Sequence, residues 1–437
     1  MKLISVLFLT LFSTQIFAKA VIEEELYVFD QDQSFITHFA SQKDLVIDHV
    51  SSTGYELYGA KGLQLWVTEL GLKSINLKAM RNANKDNLEA YPSYSQIVKK
   101  LNELAQKKPE IVKLFSIGKT NQGKDLFFVK ISDNVEQDEA EPEFKYVSSM
   151  HGDEITGREL MIRLIEDIIN GYGTDASITK LVNNTEIFIM PSMNPDGSEL
   201  KQRANAKGTD INRDFPDFSS ADNQNNWLNR SVETQAMMKF QATRNFSLSA
   251  NFHGGTQVVN YPWDTQKETF PLERLVRDLS IEYASTVEGM FNSSEFNQGV
   301  TNGFEWYEVD GGMQDWSYYW YGDLQLTIEL SHMKYPEYSS IPTFYKQNKA
   351  SLLRYISRIH QGAGFYFDFT KNGIVTVTRL DGGEKKIGTY RFSKQEFYKV
   401  LEIGQYRFDI EVEGTKKNFT VNVTKDVQDN KGNFIKL

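Results

Sequence analysis

Between about Tyr91 and Gly362, short apolar runs typical of strands alternate with stretches whose apolar residues recur at helical spacing. Helical spacing is clear at Ile97, Leu101 and Leu104. The strand-like runs include residues 111–117, 126–131, 144–149, 185–190, 246–252 and 324–330. This alternation is typical of an α/β fold with a mixed, largely parallel sheet and helices on both faces. We expect that fold for residues 89–362.

The flanking regions have different patterns, and 437 residues leave room for two to three domains of about 150 residues. Residues 21–88 contain strand-like pieces at 26–29, 56–58 and 63–67, and the polar run 81–87 is typical of a linker. We expect a small α/β region here, either a pro-segment or a structural extension. Residues 363–437 contain only short strand-like runs separated by turns, which predicts a small all-β sandwich.

Composition excludes several classes of protein. The formal net charge is −10, which argues against a nucleic-acid partner. The chain has no cysteine, so disulfides, thiolate zinc sites and a cysteine nucleophile are excluded. Any histidine chemistry must come from six histidines.

The first 20 residues predict a signal peptide. Lys2 precedes an apolar run at 3–12, and Ala18-Lys19-Ala20 offers small residues for cleavage. The run is too short to cross about 30 Å of hydrocarbon, and no later run is long enough either. We expect a secreted or periplasmic protein with no membrane span, and the absence of cysteine favours a bacterial source.

The segment His151-Gly152-Asp153-Glu154 follows a predicted strand and contains two potential metal ligands. Zinc binds imidazole and carboxylate, and a catalytic zinc site has three protein ligands and one open position. The motif alone is weak, because chance produces such pairs readily. His253 ends another predicted strand and could be the third ligand, since open α/β sheets bind ligands at strand ends. A hydrogen-bonded structural histidine is the alternative.

Two further groups suggest a site for a substrate. Arg203 and the pair Asn212-Arg213 could hold a carboxylate, because guanidinium forms forked hydrogen bonds and the amide adds a donor. Solvated loop residues are the alternative. Glu329 is a single carboxylate in the apolar run Leu326–Leu330, where burial requires a partner or a function. An edge position or a lysine partner would also explain it.

Taken in order, these residues resemble the motifs of the zinc metallocarboxypeptidase family. The ordered set is His151, Glu154, Asn212, Arg213, His253, Tyr307 and Glu329. Residues 203–216, 252–255, 260–264 and 311–316 resemble its regulatory (N/E, carboxypeptidase D/N/E-like) branch. The resemblance runs from about Tyr91 to the C-terminus and implies a catalytic domain followed by a transthyretin-like sandwich. It does not cover residues 21–88, since the regulatory branch generally lacks a pro-domain.

The resemblance also implies a role for each site residue. His151, Glu154 and His253 would bind one zinc ion, with Asp210 orienting His151. Glu329 would be the general base. The residues implied in handling substrate are Arg203 at the oxyanion, Asn212 and Arg213 at the terminal carboxylate, Tyr307 as a cover, and Asp264 and Gln314 in the specificity pocket.

The expected activity is removal of C-terminal residues from peptides or proteins, with Lys or Arg preferred because Asp264 would line the pocket. Two other functions are kept open. One is a zinc amidase acting on cell-wall peptides or acylated amino acids. The other is a non-catalytic peptide-binding protein. The sequence predicts no oligomeric state.

Overall fold

A single eight-stranded sheet forms the centre of the molecule. The computed structural model describes residues 21–30, 32–40, 42, 44–83, 90–424 and 434–437. The predicted signal peptide, residues 1–20, lies outside them. The strands of the sheet are β5 (Val112–Lys119), β6 (Asp125–Ile131), β7 (Glu143–Ser148), β8 (Glu186–Met190), β9 (Phe246–His253), β10 (Gln257–Tyr261), β11 (Val300–Asn302) and β12 (Leu324–Leu330). Their order is β11-β10-β12-β9-β7-β8-β6-β5.

The central strands β12, β9, β7 and β8 run parallel to one another, whereas β5, β6 and β10 pair antiparallel within the sheet. Side chains on a strand alternate between faces, and Tyr146 and Val147 accordingly belong to different hydrophobic clusters. Helices cover both faces. They are Tyr94–Lys107, Thr156–Gly171, Ala176–Val182, Pro195–Leu200, Val232–Gln241, Glu273–Ala284, Glu288–Phe291, Gly303–Trp306, Met313–Tyr321 and Ile341–Ser357. The predicted fold class is confirmed.

The C-terminal residues form two sheets that face each other, and most of their strands pair antiparallel. One contains β13 (Gly362–Tyr366), β16 (Glu396–Val400) and β19 (Phe434–Lys436), and the other contains β14 (Gly373–Arg379), β15 (Lys385–Phe392), β17 (Gly404–Val412) and β18 (Thr415–Val423). Phe365 from the first sheet packs against Phe392 and Phe419 from the second. The all-β region expected here is therefore present, although the sequence pattern did not identify β16 or β19.

The N-terminal residues form a separate antiparallel sheet of four strands. Its order is β2 (Val46–Ser51), β3 (Gly54–Gly59), β1 (Glu24–Val28) and β4 (Ser74–Asn76), accompanied by helices Gln33–Ala40, Leu63–Glu69 and Leu77–Ala83. Residues 21–83 are called the N-terminal unit below. Residues 81–83 of the polar run predicted as a linker end a helix, and residues 84–87 lie outside the described part of the chain.

The strand predicted at Leu63–Val67 is wrong, because these residues are helical. Leu63, Leu65 and Val67 alternate in the sequence as they would in a strand. Only Leu63 and Val67 are buried, at the four-residue spacing of a helix face, while Leu65 is exposed. A run of five residues is too short for periodicity to distinguish the two structures.

The sheet register determines where the site forms. His253 ends β9, and it pairs directly with Glu329 on β12. On the other side of β9, Phe252 pairs with Ser148 at the end of β7, so the loop that carries His151 begins at the same sheet edge. Within the described residues, no helix combines the length and the apolar character needed to cross a membrane.

Candidate active site

Three potential metal ligands meet at the carboxyl edge of the central sheet. His253 Nδ1 lies 2.8 Å from Glu154 Oε2 and 3.0 Å from His151 Nδ1. His151 Nδ1 is 3.1 Å from Glu154 Oε2. All three side chains are buried. The sequence-predicted ligands, separated by up to 102 positions in the chain, are therefore neighbours in space.

The donor set fits a zinc ion. Two imidazole nitrogens and a carboxylate oxygen directed at one point form a common catalytic zinc set, with metal–ligand distances of about 2.0–2.2 Å. Tetrahedral ligands at that distance are separated by roughly 3.3 Å, close to the spacing between these three atoms. The far nitrogen of His151 contacts a carboxylate, as metal-bound histidines usually do.

Asp210 connects the potential metal ligand His151 to Arg203. Its Oδ1 lies 3.0 Å from His151 Nε2, and its Oδ2 accepts a 2.8 Å hydrogen bond from Arg203 Nε. Asp210 also caps the short helix Ile211–Arg213 by accepting from the backbone N–H of Asn212 at 2.9 Å. Although burial opposes ionisation, Arg203 and His151 hold the pKa of Asp210 well below its usual range. The carboxylate is thus charged and fixed from three directions.

The loop that carries His151 and Glu154 is held by a neighbouring turn. Asn194 donates to the carbonyl of Met150 at 3.1 Å and to that of Arg203 at 3.3 Å. Gly152 lies so close to this turn that a Cβ atom would come within 2.1 Å of the Gly197 backbone. Glycine is therefore required at position 152, a packing requirement that the motif alone did not reveal.

Glu329 is buried at the end of β12, with 4% of its surface exposed. The alternative of an edge position is therefore wrong. Its Oε2 has no hydrogen-bond partner among the described residues, and His49 Nε2 lies 3.7 Å from it. A buried carboxylate oxygen without a donor, adjacent to a metal ligand, is well placed to accept a proton.

The residues expected to bind a substrate carboxylate converge on one side chain of the N-terminal unit. Arg203 Nη1 donates to Asp48, and Tyr307 donates from its hydroxyl to Asp48 Oδ1 at 2.6 Å. Arg213 Nη2 lies 3.9 Å from the same Oδ1. Asn212 lies beside them and accepts from the backbone N–H of Met313 at 3.0 Å.

The two residues expected in the specificity pocket contact each other. Gln314 donates to Asp264 Oδ1 at 2.9 Å, and Asn260 donates to the same oxygen at 2.9 Å. Burial raises the pKa of Asp264 to about 6. A Cβ at Gly312 would lie 3.7 Å from both Asp264 and Asn212, so the pocket adjoins the carboxylate-binding residues.

Sequence reasoning missed four residues of this site. Asp315 accepts from the backbone N–H groups of Asp264 and Thr265 at 2.8 and 3.0 Å. Lys334 Nζ lies 3.4 Å from Glu154 Oε1. Asp48 and His49 come from the N-terminal unit and occupy the apolar run Leu45–Val50. A charge inside an apolar strand was the signal that identified Glu329, and the same signal could have identified this pair.

The fold and the site have features typical of zinc peptidases, since the three clustered side chains suit zinc and the adjacent arginines suit a carboxylate. Comparison with known families agrees, because the zinc carboxypeptidase family matches residues 97–351. The chain belongs to the zinc carboxypeptidase family, whose cofactor is zinc. The enzyme class expected from the sequence is thereby confirmed at the level of the family.

Curated relatives identify the branch. Human carboxypeptidase D is 36% identical over 361 residues, which cover 76% of this chain and 26% of that protein. Mouse carboxypeptidase M is 37% identical over 341 residues, covering 72% of this chain and 76% of the relative. Carboxypeptidase E of Caenorhabditis elegans is 33% identical over 413 residues, covering 78% and 85%. The resemblance to the regulatory branch is confirmed, although the chain spans only about a quarter of the length of the carboxypeptidase D relatives.

Solved structures share the fold at low identity. Carboxypeptidase A from Helicoverpa armigera gives a TM-score of 0.62 at 17% identity, covering 78% of this chain and 98% of that one. Thrombin activatable fibrinolysis inhibitor gives 0.59 at 16% identity, covering 76% and 98%. The curated relatives named above come from animals, so they give no support to the bacterial source expected from the sequence.

Proposed function

We propose that this chain is a secreted zinc carboxypeptidase that removes C-terminal Lys or Arg from peptides or proteins. The observation that carries the proposal is the meeting of three metal-ligand atoms within 3.1 Å of one another, beside Glu329 and a group of residues suited to a carboxylate. The catalytic domain would comprise residues 89–362, and residues 363–437 would form the transthyretin-like sandwich.

His151, Glu154 and His253 would hold the zinc ion, and Asp210 would fix the ring of His151. Zinc at such a site acidifies a water molecule and polarises the scissile carbonyl. Glu329 would take the proton from the attacking water and later deliver it to the leaving amine. The register of β12 with β9, which pairs Glu329 with His253, supports this role.

Recognition of a chain end would use Arg213, Asn212 and Tyr307 at the terminal carboxylate. Arg203 would stabilise the negative charge that develops on the carbonyl oxygen, because a fixed buried cation needs little reorganisation. Arg203 Nη2 is buried with no hydrogen-bond partner among the described residues, so one donor remains for a substrate oxygen. This recognition explains exopeptidase action, since an internal peptide bond offers no carboxylate.

The preference for a basic residue would come from Asp264 and Asp315. Both are buried, and the attraction of Arg213 on Asp264 is too weak to offset that burial. Burial raises the pKa of Asp315, and the neighbouring charge of Asp264 adds to the effect. A lysine or arginine side chain of the substrate would supply the missing positive charge.

A panel of blocked dipeptides ending in Arg, Lys, Phe or Ala tests this proposal. We expect hydrolysis of the Arg and Lys substrates, loss of activity with a chelator, and recovery with added zinc. Faster cleavage of Phe than of Arg would overturn the basic preference but leave the carboxypeptidase activity intact. Release of products from cell-wall peptides without activity on the dipeptides would favour the amidase alternative.

Export would follow from the predicted signal peptide at residues 1–20. N-terminal sequencing of the protein recovered outside the cytoplasm of an expressing cell checks this, with a start after Ala18 or Ala20 as the expected result. Full retention of Met1 in the cell would overturn the secreted location without affecting the proposed activity.

A further inference from the structure

The C-terminal sheets bury a lysine against the region that contains the central sheet. Lys399 lies on β16, and 2% of its surface is exposed. Its Nζ donates to the carbonyl of Gly322 in the central-sheet region. The same atom lies 4.8 Å from the ring centre of Tyr390, in the other C-terminal sheet, and 5.2 Å from that of Tyr318. Lys399 is therefore enclosed between two separate parts of the chain.

This buried lysine lacks a carboxylate partner. Among the residues that the structure describes, none forms a salt bridge with Lys399. Burial lowers its pKa to about 7, and the charge of Asp323 opposes that effect only in part. Burying a charge without a counter-ion costs free energy. Lys399 therefore destabilises the folded chain more than an apolar side chain of the same length would, unless its contacts offset that cost.

Gly322 receives the lysine at the end of a helix. It is the C-terminal cap of the helix Met313–Tyr321, called the pocket helix below, and its φ is 68°. A Cβ atom at Gly322 would lie 2.9 Å from Lys399 Nζ, so glycine allows the close approach. The last carbonyls of a helix lack partners and carry partial negative charge, which a cation stabilises. Lys399 thus caps the pocket helix from a neighbouring sheet.

The other end of the pocket helix carries residues of the proposed specificity pocket. Gln314 and Asp315 lie in its first turn. Gln314 donates to Asp264 at 2.9 Å, and Asp315 accepts from the backbone N–H of Asp264 at 2.8 Å. The backbone N–H of Met313 donates to Asn212 at 3.0 Å. A tilt or axial shift of this helix would therefore move the pocket relative to the residues proposed to bind the terminal carboxylate.

Aromatic rings form a second connection between Lys399 and the pocket. Tyr318, which lies on the pocket helix beneath the lysine, has its ring centre 5.1 Å from that of Trp263 and 4.7 Å from that of Phe270. Trp263 immediately precedes Asp264 in the chain. Because buried side chains are closely packed, a shift of one ring displaces its neighbours. Tyr318 therefore contacts both the lysine and the residue next to Asp264.

From these contacts we infer that Lys399 is a positioning residue for the specificity pocket, through which the C-terminal sheets contribute to the choice of the substrate's last residue. It acts by holding the C-terminal end of the pocket helix, without contact to the substrate. This inference rests on the proposed function, since it assumes that Asp264 and Gln314 receive a basic side chain.

Lys399→Met in the full chain tests the inference, because it removes the cation and keeps an unbranched side chain of similar length. A cation at a partly buried helix C-terminus accounts for about a 10-fold change in an equilibrium. We expect KM for a blocked dipeptide ending in Arg to rise by about that factor while kcat stays nearly constant. KM for the matching Phe dipeptide should change little, so the preference for Arg over Phe should fall.

Lys394→Met is the matched control, because it weakens the same contact between the C-terminal sheets and the central-sheet region. Lys394 Nζ lies 2.9 Å from Glu143 Oε1 and 3.5 Å from Asp138 Oδ2 and Glu396 Oε1, and none of these residues belongs to the pocket helix. The control should keep the preference for Arg. An equal loss of preference in both variants would overturn the inference, since any loosening of the contact would then have the same effect.

Hydrogen exchange provides a measurement that does not depend on the folding of either lysine variant. Coupling between two sites is reciprocal, so a ligand in the pocket should stabilise the contact at Lys399. In the Glu329→Gln protein, saturation with the Arg dipeptide should slow amide exchange in β16, whereas saturation with the Phe dipeptide should not. β18, in the opposite C-terminal sheet, is the internal reference. Unchanged exchange in β16 with the Arg dipeptide would overturn the inference.

The unmodified chain distinguishes failure of this inference from failure of the proposed function. Faster cleavage of Phe than of Arg by the wild type would overturn the basic preference and this inference with it. A wild-type preference for Arg that Lys399→Met retains would overturn the inference alone. Loss of the preference in Lys399→Met but not in Lys394→Met, together with slower exchange in β16, would support both.

Discussion

Two aspartates are buried in the same cleft, and their surroundings are opposite. Asp48 is surrounded by cations, with Arg203 in contact and Lys334 at 3.9 Å, and these charges lower its pKa. Asp264 accepts hydrogen bonds from the side-chain amides of Asn260 and Gln314, and burial raises its pKa to about 6.

Asp48 is thus paired with cations, whereas Asp264 forms no close ion pair among the described residues. Burying a charge without a counter-ion costs several kcal/mol. Ionised Asp264 therefore destabilises the folded protein unless a cation binds beside it. Asp48 already has its cations and gains nothing from another. Asp48 is therefore a carboxylate paired with cations, whereas Asp264 is a buried carboxylate held by amides.

The largest expected effect tests the proposed role of Glu329 as the general base. Glu329→Gln should lower kcat by about 10²–10⁴-fold, because the amide cannot accept the proton from water. Zinc content, measured by elemental analysis, should not change, since Glu329 is not among the three clustered ligands. Glu288→Gln, at an exposed helix position, is the control. Full activity of Glu329→Gln would show that the general base is another group.

The next effect concerns the carboxylate that lacks a cation. Asp264→Asn should reduce the ratio of kcat/KM for Arg over Phe substrates by about 100-fold, the usual scale for losing one buried charge partner. Asp278→Asn, on the exposed side of helix Glu273–Ala284, should not change the ratio. An unchanged ratio in Asp264→Asn would show that the preference for Arg over Phe arises outside this pocket.

Stability should respond in opposite directions at the two sites. Asp48→Asn leaves Arg203 and Lys334 buried with one carboxylate fewer, and breaking a buried ion pair costs about 3–5 kcal/mol. We expect faster amide hydrogen exchange in β2 and β3, because these strands carry the contact. Asp44→Asn provides the baseline. Unchanged exchange in Asp48→Asn would mean that the apolar contacts alone hold the N-terminal unit in place.

Asp264→Asn should instead stabilise the protein, by a smaller amount. The folded pKa of about 6 lies above the ordinary 3.8, so the folded state holds the proton more tightly and stability falls as pH rises from about 4 to 6. The penalty at pH 7 is about 3 kcal/mol at most. Thermal unfolding should show the variant to be more stable than wild type at pH 7 and similar at pH 4. Equal stability at both values would contradict the raised pKa.

Much of this architecture follows from short-range sequence patterns. The strand predicted at residues 324–330 matches β12, and the helix marked by Ile97, Leu101 and Leu104 is present at Tyr94–Lys107. Long, strongly patterned elements carry enough periodicity to identify them. Leu63–Val67 failed because five residues fit a strand and a helix equally well.

Sequence pattern alone indicated only the site residues next to elements of the central sheet, and the others were expected from the family resemblance. His151, Glu154 and His253 follow predicted strands, so topology alone brings them to one edge. Docking of Asp48 against Arg203 joins a strand of the N-terminal sheet to a loop 155 residues later in the chain. Local periodicity contains no information about such a contact. It depends on how two complete surfaces fit, which requires the assembled structure.

The pairing of His253 with Glu329 has a consequence for how this cleft tolerates change. Neighbouring strands are about 4.8 Å apart because backbone hydrogen bonds set that distance, and side-chain identity has little influence on it. The main chain therefore sets the distance between His253 and Glu329. A slip of a single residue between the two strands would turn one of them away from the cleft.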